Sequence, residues 1–306
     1  MDSLQNLKSR MRAVSSVKEI AKAMEVVAAT KMRKSQEMAL RTRPYAYASL
    51  ALLGKLSRLG VLRHQLFSER KDPKTLVILI ASDRGFAGKF NADTTKEFEK
   101  YAKENSPSFV VVIGKKAELY LKRKKIAVYR AFHGFGDFIK PEDTKDLSDI
   151  VINGFENELW DRVVVISTLF RSALKQEIIE REILPIQLSK IRKTIEETIP
   201  ETGKYSETRK EFSEFTGYGQ PSEYILEPSA DETLRELIPH LVRTQIYQII
   251  LEANASEHSA RRLAMKNASD NASDLSHDLI ILYNKVRQAN ITNELIEITG
   301  TQSTLE

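Results

Sequence analysis

The sequence predicts an α/β protein: a long antiparallel coiled coil of the N- and C-terminal helices plus a Rossmann-like α/β domain. Three observations lead to this fold class. The first 43 residues contain neither Gly nor Pro, and their apolar residues recur in steps of three and four. The middle of the chain alternates short, β-branched apolar runs with helical stretches. Residues 240–299 again lack Gly and Pro, which allows a helix of roughly 90 Å.

The first predicted element is an N-terminal coiled-coil helix over residues 1–58. Its apolar stripe runs from Leu4 to Ala28, and Pro44 is expected to kink or end the helix before a second piece that reaches about Arg58. Between Met1 and Arg43 there are ten Lys or Arg residues and four acidic ones. This excess indicates either an acidic partner or a solvated basic helix face.

The predicted α/β domain spans residues 75–188. Its strands are the apolar runs TLVILIAS from Thr75, FVVVIG from Phe109 and RVVVIST from Arg162, with IAVYRAF as a weaker case. Helical segments between these runs indicate parallel strands joined by right-handed crossovers. The run EIIEREILPI alternates apolar and charged residues, which is typical of an edge strand.

Two segments follow the predicted domain. Residues 189–223 are polar and low in large apolar side chains, so they are interpreted as a polar excursion. Residues 229–300 form the predicted C-terminal long helix, with Ser229 as N-cap, Glu232 as its capping-box partner and Pro239 as an early interruption. A helix of this length needs a partner, and the N-terminal helix is the other long one. The predicted seam is Met265, Ala268, Ala272, Leu275, Leu279, Leu282, Val286, Ala289 and Ile296.

The loop SDRGFAGKFN, residues 82–91, is the one stretch that suggests phosphate binding. It lies where a strand gives way to a helix, and it contains Gly85, Gly88 and Lys89. A phosphate loop requires four residues between its first Gly and the Gly-Lys pair, whereas only two stand here. The alternative is a tight turn in which Asp83 and Asn91 accept hydrogen bonds from the backbone.

Several function classes lack the residues that they need. The chain has no cysteine, its five histidines show no metal-ligand spacing, and no apolar run reaches the length of a membrane span. No catalytic constellation is detectable, and no cofactor is expected. Tyr45 and Tyr47 could stack on nucleic acid, but packing against a neighbouring helix is the favoured interpretation, so no nucleic-acid partner is expected.

Several motifs of this chain resemble one family closely and in the same order along the chain. The N-terminal IAKAMEVVAATKMRKSQ and the C-terminal SEHSARRLAMKNASDNA and LYNKVRQANITNELIEITG carry most of the similarity. ASDRGFAGKFN and YILEPSADETL add two matches in the middle of the chain. These motifs resemble the γ subunit of the F-type ATP synthase.

The resemblance implies a non-catalytic rotor subunit, the central stalk of the synthase. Such a subunit turns inside the ring of α and β subunits and couples transmembrane ion flow to ATP synthesis at the β-subunit sites. The implied partners are the α, β and ε subunits and the membrane c-ring. The implied location is peripheral, on the cytoplasmic face of a bacterial plasma membrane. In this family the β subunits carry an acidic loop that presses on the shaft, which fits the basic first helix.

The resemblance also implies roles for particular residues. Arg261, Gln288 and Thr292 match a polar catch between shaft and β subunits. Met24 matches a further position of this α/β-ring contact, where it would pack against the partner region across the coil. Lys31 and Arg33 are candidates for the same ring contact because of their charge. Tyr224 and Glu227 match the foot of the shaft, which meets the c-ring and the ε subunit.

Two alternatives remain open from the residues alone. A nucleotide-binding α/β enzyme with helical arms would bind its ligand as an isolated chain. A coiled-coil adaptor would dimerise through the 265–296 seam, whereas a rotor would pair that seam within one chain.

Overall fold

The computed structural model describes residues 4–58, 64–71, 73–172, 175–187, 227 and 229–302. The predicted excursion 189–223 lies outside these residues. The chain divides into two compact units. We call Met1–Ala28 with Arg261–Glu306 the coil unit, and Ala29–Ala260 the sheet unit.

The described helices and strands follow the predicted order. The helices are α1 (Leu4–Arg58), α2 (Phe90–Asn105), α3 (Lys115–Arg123), α4 (Lys145–Glu156) and α5 (Ala230–Gln302). The strands are β1 (Thr75–Ile80), β2 (Phe109–Ile113), β3 (Arg130–Phe132), β4 (Arg162–Phe170) and β5 (Gln176–Leu184). Short 3₁₀ turns cover Gln65–Phe67 and Pro141–Thr144.

The strands form one mixed sheet in the order β3-β2-β1-β4-β5. Strands β1 to β4 run parallel to one another, with Ile78 of β1 level with Val111 of β2 and Val165 of β4. Strand β5 runs antiparallel to β4 and lies at an edge, as the alternating pattern predicts. The Rossmann-like α/β domain is thus confirmed.

Both faces of the sheet are covered by helices. Alternate residues of each strand point to opposite faces. Leu76, Ile78 and Ile80 face α4 and the parts of α1 and α5 in the sheet unit. Val77 and Leu79 face α2 and α3. Burial on both sides explains why β1 reads as a continuous apolar run instead of an alternating one.

The two prolines that were expected to interrupt the long helices lie inside them. Helix α1 continues past Pro44 to Arg58, and α5 contains Pro239. A proline inside a helix costs about 3 kcal/mol. Around Pro239 that cost is offset by packing against the sheet, because Ile238, Leu241 and Val242 are all buried in the core.

The long helices pair in opposite directions within the sheet unit. The Thr42 hydroxyl donates to the Gln248 side chain, and the Tyr45 ring lies edge-on against His240, 5.5 Å between centroids. Residues further along α1 therefore contact residues closer to the N-terminus of α5, so the two helices run in opposite directions. Within the coil unit, Lys18 Nζ donates to Ser273 Oγ at 3.1 Å. The antiparallel pairing of the terminal helices is confirmed.

The seam of the coil unit has two positions in each seven-residue repeat. The first agrees with the prediction, and the second is one residue later than predicted. Met265, Ala272 and Leu279 are buried, and Ala268 and Val286 are partly buried. Leu275, Leu282, Ala289 and Ile296 are exposed, so their assignment to the seam was wrong. The positions four residues after the buried ones, Ser269, Ser276 and Tyr283, face inward instead. Small serine side chains permit close helix approach, whereas the prediction treated apolar character as the mark of the seam.

Candidate interaction surfaces

The loop after β1 is fixed by its own polar side chains. The Asp83 carboxylate accepts hydrogen bonds from the backbone N–H of Lys115 at 3.1 Å and of Gly134 at 2.8 Å. Asn91 Oδ1 accepts from the Ser82 N–H at 3.0 Å. Asp83 thus ties the end of β1 to the start of α3 and to the segment after β3.

This arrangement opposes anion binding at the start of α3. Lys115 is the first residue of α3, and a helix N-terminus is where a bound anion would lie. The Asp83 carboxylate already occupies that position and would repel a phosphate. The geometry agrees with the tight-turn interpretation. Among the described residues, no group of three His, Asp or Glu side chains could hold a metal ion.

The three residues of the predicted polar catch do not form one cluster on α5. Gln288 and Thr292 are exposed one turn apart, and the Thr292 hydroxyl donates to the Gln288 carbonyl oxygen at 2.9 Å. Arg261 is buried and lies about 40 Å away along the helix, at 1.5 Å per residue. A single partner loop would not reach both places. Met24, on α1, is partly buried.

The end of α5 in the coil unit extends past the start of α1. With Lys18 level with Ser273, the first residue of α1, Leu4, falls near Arg287. Helix α5 continues to Gln302, about 22 Å further at 1.5 Å per residue. We call residues 288–302 the α5 tip. Its side chains from 288 to 296 are all exposed, including Ile291, Leu295 and Ile296.

In the sheet unit, the two charge-based candidates on α1 have different surroundings. The Lys31 ammonium lies 2.6 Å from Asp137 Oδ2, so it is already engaged within the chain. Arg33 is exposed and lines a surface groove of about 380 Å³ together with Lys34, Glu37 and Arg41. The groove has an excess of positive charge. Of the two foot candidates, Glu227 is exposed, and Tyr224 lies outside the described residues.

Two aspartates of the sheet unit have pKa values below the ordinary range. Burial raises the pKa of Asp137, but the hydrogen bond from Lys31 and the charges of Lys31, His258 and Arg84 outweigh it. Burial likewise opposes ionisation of Asp161, whose pKa is lowered by Arg70 at 2.7 Å and by the Lys74 N–H. Both carboxylates are therefore more stable ionised in the folded chain than in the unfolded one.

This pKa lowering predicts acid sensitivity. Each carboxylate contributes stability above its unfolded pKa of about 3.9 and loses it as the pH falls through the lower folded value. We expect the urea midpoint of the full chain to fall as the pH drops below about 4. The substitution Asp161→Asn should flatten that fall, and Asp146→Asn, at an exposed position, should not. Identical pH profiles for all three chains would contradict the assignment.

Sequence reasoning missed the residues around Asp137. The segment HGFGDFI, from His133 to Ile139, follows the short strand β3 and contacts both long helices in the sheet unit. Its two glycines and lone aspartate match no motif of binding chemistry.

The described helices include none that is long and apolar enough to cross a membrane.

Comparison with known proteins identifies relatives over the whole chain. The family model described as ATP synthase matches residues 3–305. The ATP synthase gamma chain of Pelotomaculum thermopropionicum is 33% identical over 308 residues, covering 100% of both chains. That of Fusobacterium nucleatum is 34% identical over 310 residues, again with 100% of both covered. A relative from Acetobacterium woodii, named as the sodium-ion-specific gamma chain, is 32% identical and covers 98% of this chain and 97% of its own.

Solved structures share the fold. A chain of the Euglena gracilis mitochondrial ATP synthase, in one rotational state, superimposes with a TM-score of 0.63 at 17% identity, covering 99% of this chain and 94% of that one. A chain from the central stalk and c-ring structure of the Tetrahymena thermophila enzyme gives a TM-score of 0.59 at 23% identity, covering 82% of this chain and 99% of that one.

Proposed function

This chain belongs to the family of ATP synthase γ chains, and from that membership we propose that it is the central-stalk subunit of an F-type ATP synthase. It couples transmembrane ion flow to ATP synthesis at the β-subunit sites by rotating inside the α/β ring. The observation that carries the proposal is the full-length similarity to γ chains, in a chain whose two terminal helices pair with each other.

A rotor needs shape and contact surfaces, not catalytic groups of its own. Two continuous helices of 55 and 73 residues supply a stiff element that can carry torque. Because a single chain is asymmetric, its rotation would present a different face to each of three chemically identical β sites. Those sites would therefore be driven through different conformations in turn.

The α5 tip is the part of the chain best suited to enter the ring. The helix exposes Ile291, Leu295 and Ile296 there, and an apolar sleeve around it would bury these side chains. The exposed Gln288 and Thr292 offer polar groups just before them. Together these features support a ring contact at the tip.

The other predicted contacts lie elsewhere on the chain. Met24 and Arg261 would act through the packing of the coil unit, since both are at least partly buried. The basic groove beside Arg33 has the charge to receive an acidic β-subunit loop, whereas Lys31 is engaged with Asp137. Tyr224 and Glu227 are proposed to meet the c-ring and the ε subunit. As part of an ATP synthase, the subunit would be peripheral, at the cytoplasmic face of a bacterial plasma membrane.

Reconstitution tests the proposal directly. The purified chain is mixed with α and β subunits from the same source, and size-exclusion chromatography is followed by an ATPase assay on the eluted complex. We expect one copy of the chain per three αβ pairs, with active turnover. Elution of the chain as a homodimer, without association, would favour the adaptor. Nucleotide binding by the chain alone would favour the α/β enzyme.

A substitution at the tip tests the ring contact. We expect Ile291→Asp to weaken assembly with α and β, because it places a charge where an apolar sleeve would close. The unfolding midpoint of the isolated chain should not change, because the side chain is 49% exposed. The exposed neighbour Asn290 provides the control, since Asn290→Asp adds the same charge without removing apolar surface. Equal assembly of both variants would argue against a buried tip.

A further inference from the structure

The segment from His133 to Ile139 runs against both long helices of the sheet unit, and we call it the strap. It begins directly after β3 and ends before the 3₁₀ turn at Pro141. Phe135 and Ile139 anchor it, since both side chains are buried in the core beneath the sheet. The backbone between them lies over α5 and beside α1.

One face of α5 donates hydrogen bonds to the strap at three places. Tyr247 Oη donates to the Ile139 carbonyl oxygen at 3.0 Å, and Asn254 Nδ2 donates to that of Phe135 at 2.6 Å. His258 Nε2 lies 3.0 Å from the Gly136 carbonyl oxygen. The three side chains are spaced by seven and four residues, which places them along one side of the helix. All three are buried, so water competes little for these bonds.

Asp137 joins α1 to the same assembly. Its Oδ2 lies 2.6 Å from Lys31 Nζ of α1, and its Oδ1 lies 3.5 Å from His258 Nε2 of α5. Next to it, Lys34 Nζ stands 3.9 Å above the ring of Phe138. One carboxylate therefore lies between the two helices and belongs to neither.

The strap is also bound to the sheet. The Gly134 N–H donates to Asp83 Oδ2 at 2.8 Å, and Asp83 stands three residues after Ile80, the last residue of the central strand β1. A continuous series of hydrogen bonds and ion pairs thus leads from β1 through the strap to both helices. Surface pairs are worth little alone, but a network of partly buried groups resists relative movement.

From this geometry we infer that the strap fixes the α/β domain to the helix pair against torque, and that Asp137 is a positioning residue for energy coupling. The inference rests on the proposed function, since coupling has meaning only in a rotor. A domain that slips around its helices would let ATP hydrolysis proceed while less of the rotation is transmitted. Asp137 is the residue to test, because it touches both helices and is not among the predicted ring contacts.

The experiment compares Asp137→Asn with wild type in the complete synthase, reconstituted in membrane vesicles. ATP hydrolysis and ATP-driven ion pumping are measured on the same vesicles. We expect pumping per ATP hydrolysed to fall about threefold or more, while the hydrolysis rate stays within about twofold. Asp137→Glu, which restores the carboxylate, should recover much of the ratio. Asp146→Asn is the matched control, because it makes the same change at an exposed aspartate of the sheet unit.

Other outcomes separate the inference from its premise. If Asp137→Asn pumps as many ions per ATP as wild type and the control, the strap does not position the helices for coupling. If hydrolysis and pumping fall in proportion, Asp137 is merely structural and the inference is overturned. Should Asp137→Asn fail to assemble, Phe138→Ala replaces it, since Phe138 is 46% exposed and its ring pairs with Lys34. An unchanged number of ions pumped per ATP in Phe138→Ala would also overturn the inference. A wild-type chain that supports neither activity would instead refute the proposed function.

Discussion

Replacing Gly114 by alanine is expected to destabilise the sheet unit strongly. Gly114 joins β2 to α3 at a φ of +95°, a conformation that side-chain-bearing residues rarely adopt. An added Cβ would lie 2.1 Å from the Ala81 carbonyl oxygen. This oxygen belongs to the backbone just after the central strand, and the Ala81 N–H donates to the Ile113 carbonyl oxygen. The oxygen therefore cannot move away without breaking other contacts. The strain and the overpacking together should cost at least about 3 kcal/mol.

Gly134 separates the two causes. It also has a positive φ, +82°, but an added Cβ would meet nothing within 4 Å. Gly134→Ala should therefore cost only about 1 kcal/mol, from backbone strain alone. Urea unfolding followed by tryptophan fluorescence measures both, because Trp160 is the single tryptophan and is buried in the sheet unit. Similar losses for both substitutions would show that the close approach to Ala81 does not matter.

The α/β domain could be predicted from the sequence because its strands are buried on both faces. Such strands become uninterrupted β-branched runs, as in Thr75–Ile80, and these are hard to confuse with exposed segments. The turn at Asp83 and Asn91 was also foreseeable, since short polar side chains after a strand commonly accept backbone hydrogen bonds. These signals are local, so a single sequence contains them.

The long helices show where local signals fail. Pro44 and Pro239 carry the usual mark of a helix end, yet neighbouring helices and the sheet keep the helix intact through both. The seam shows the same limit. Both Leu275 and Ser276 fit a seven-residue repeat, and only the partner helix decides that Ser276 turns inward. An apolar residue left outside, such as Leu282, then becomes a candidate for contact with another subunit.

The strap was invisible in the sequence for a related reason. Asp137 gains its role from Lys31 and His258, which are more than a hundred residues away in the chain. No spacing rule connects such positions. By contrast, Arg261, Gln288 and Thr292 were named by resemblance alone, and the structure separates Arg261 from the other two along α5.

Removing the charge of Glu252 should produce the second large loss of stability. Glu252 on α5 lies 3.7 Å from Arg181 on β5, and both side chains are nearly inaccessible, at 4% and 6% exposure. Gln248 Nε2 also donates to Glu252 Oε1 at 3.1 Å, whereas Arg181 Nη2 is buried without a hydrogen-bond partner among the described residues. Glu252→Gln would leave the guanidinium buried and uncompensated, at a cost of about 3 kcal/mol or more.

The opposite substitution, Arg181→Met, should cost less, because the two charges differ in how they can respond. A carboxyl without its partner can bind a proton, while a guanidinium cannot lose one at any ordinary pH. The double variant Arg181→Met with Glu252→Leu, which buries no charge, should be closer to wild type than Glu252→Gln. Urea unfolding of the four chains at neutral pH decides the matter. If the double variant loses as much free energy of unfolding as the two single variants combined, then packing around the pair, and not the interaction of its charges, stabilises this region.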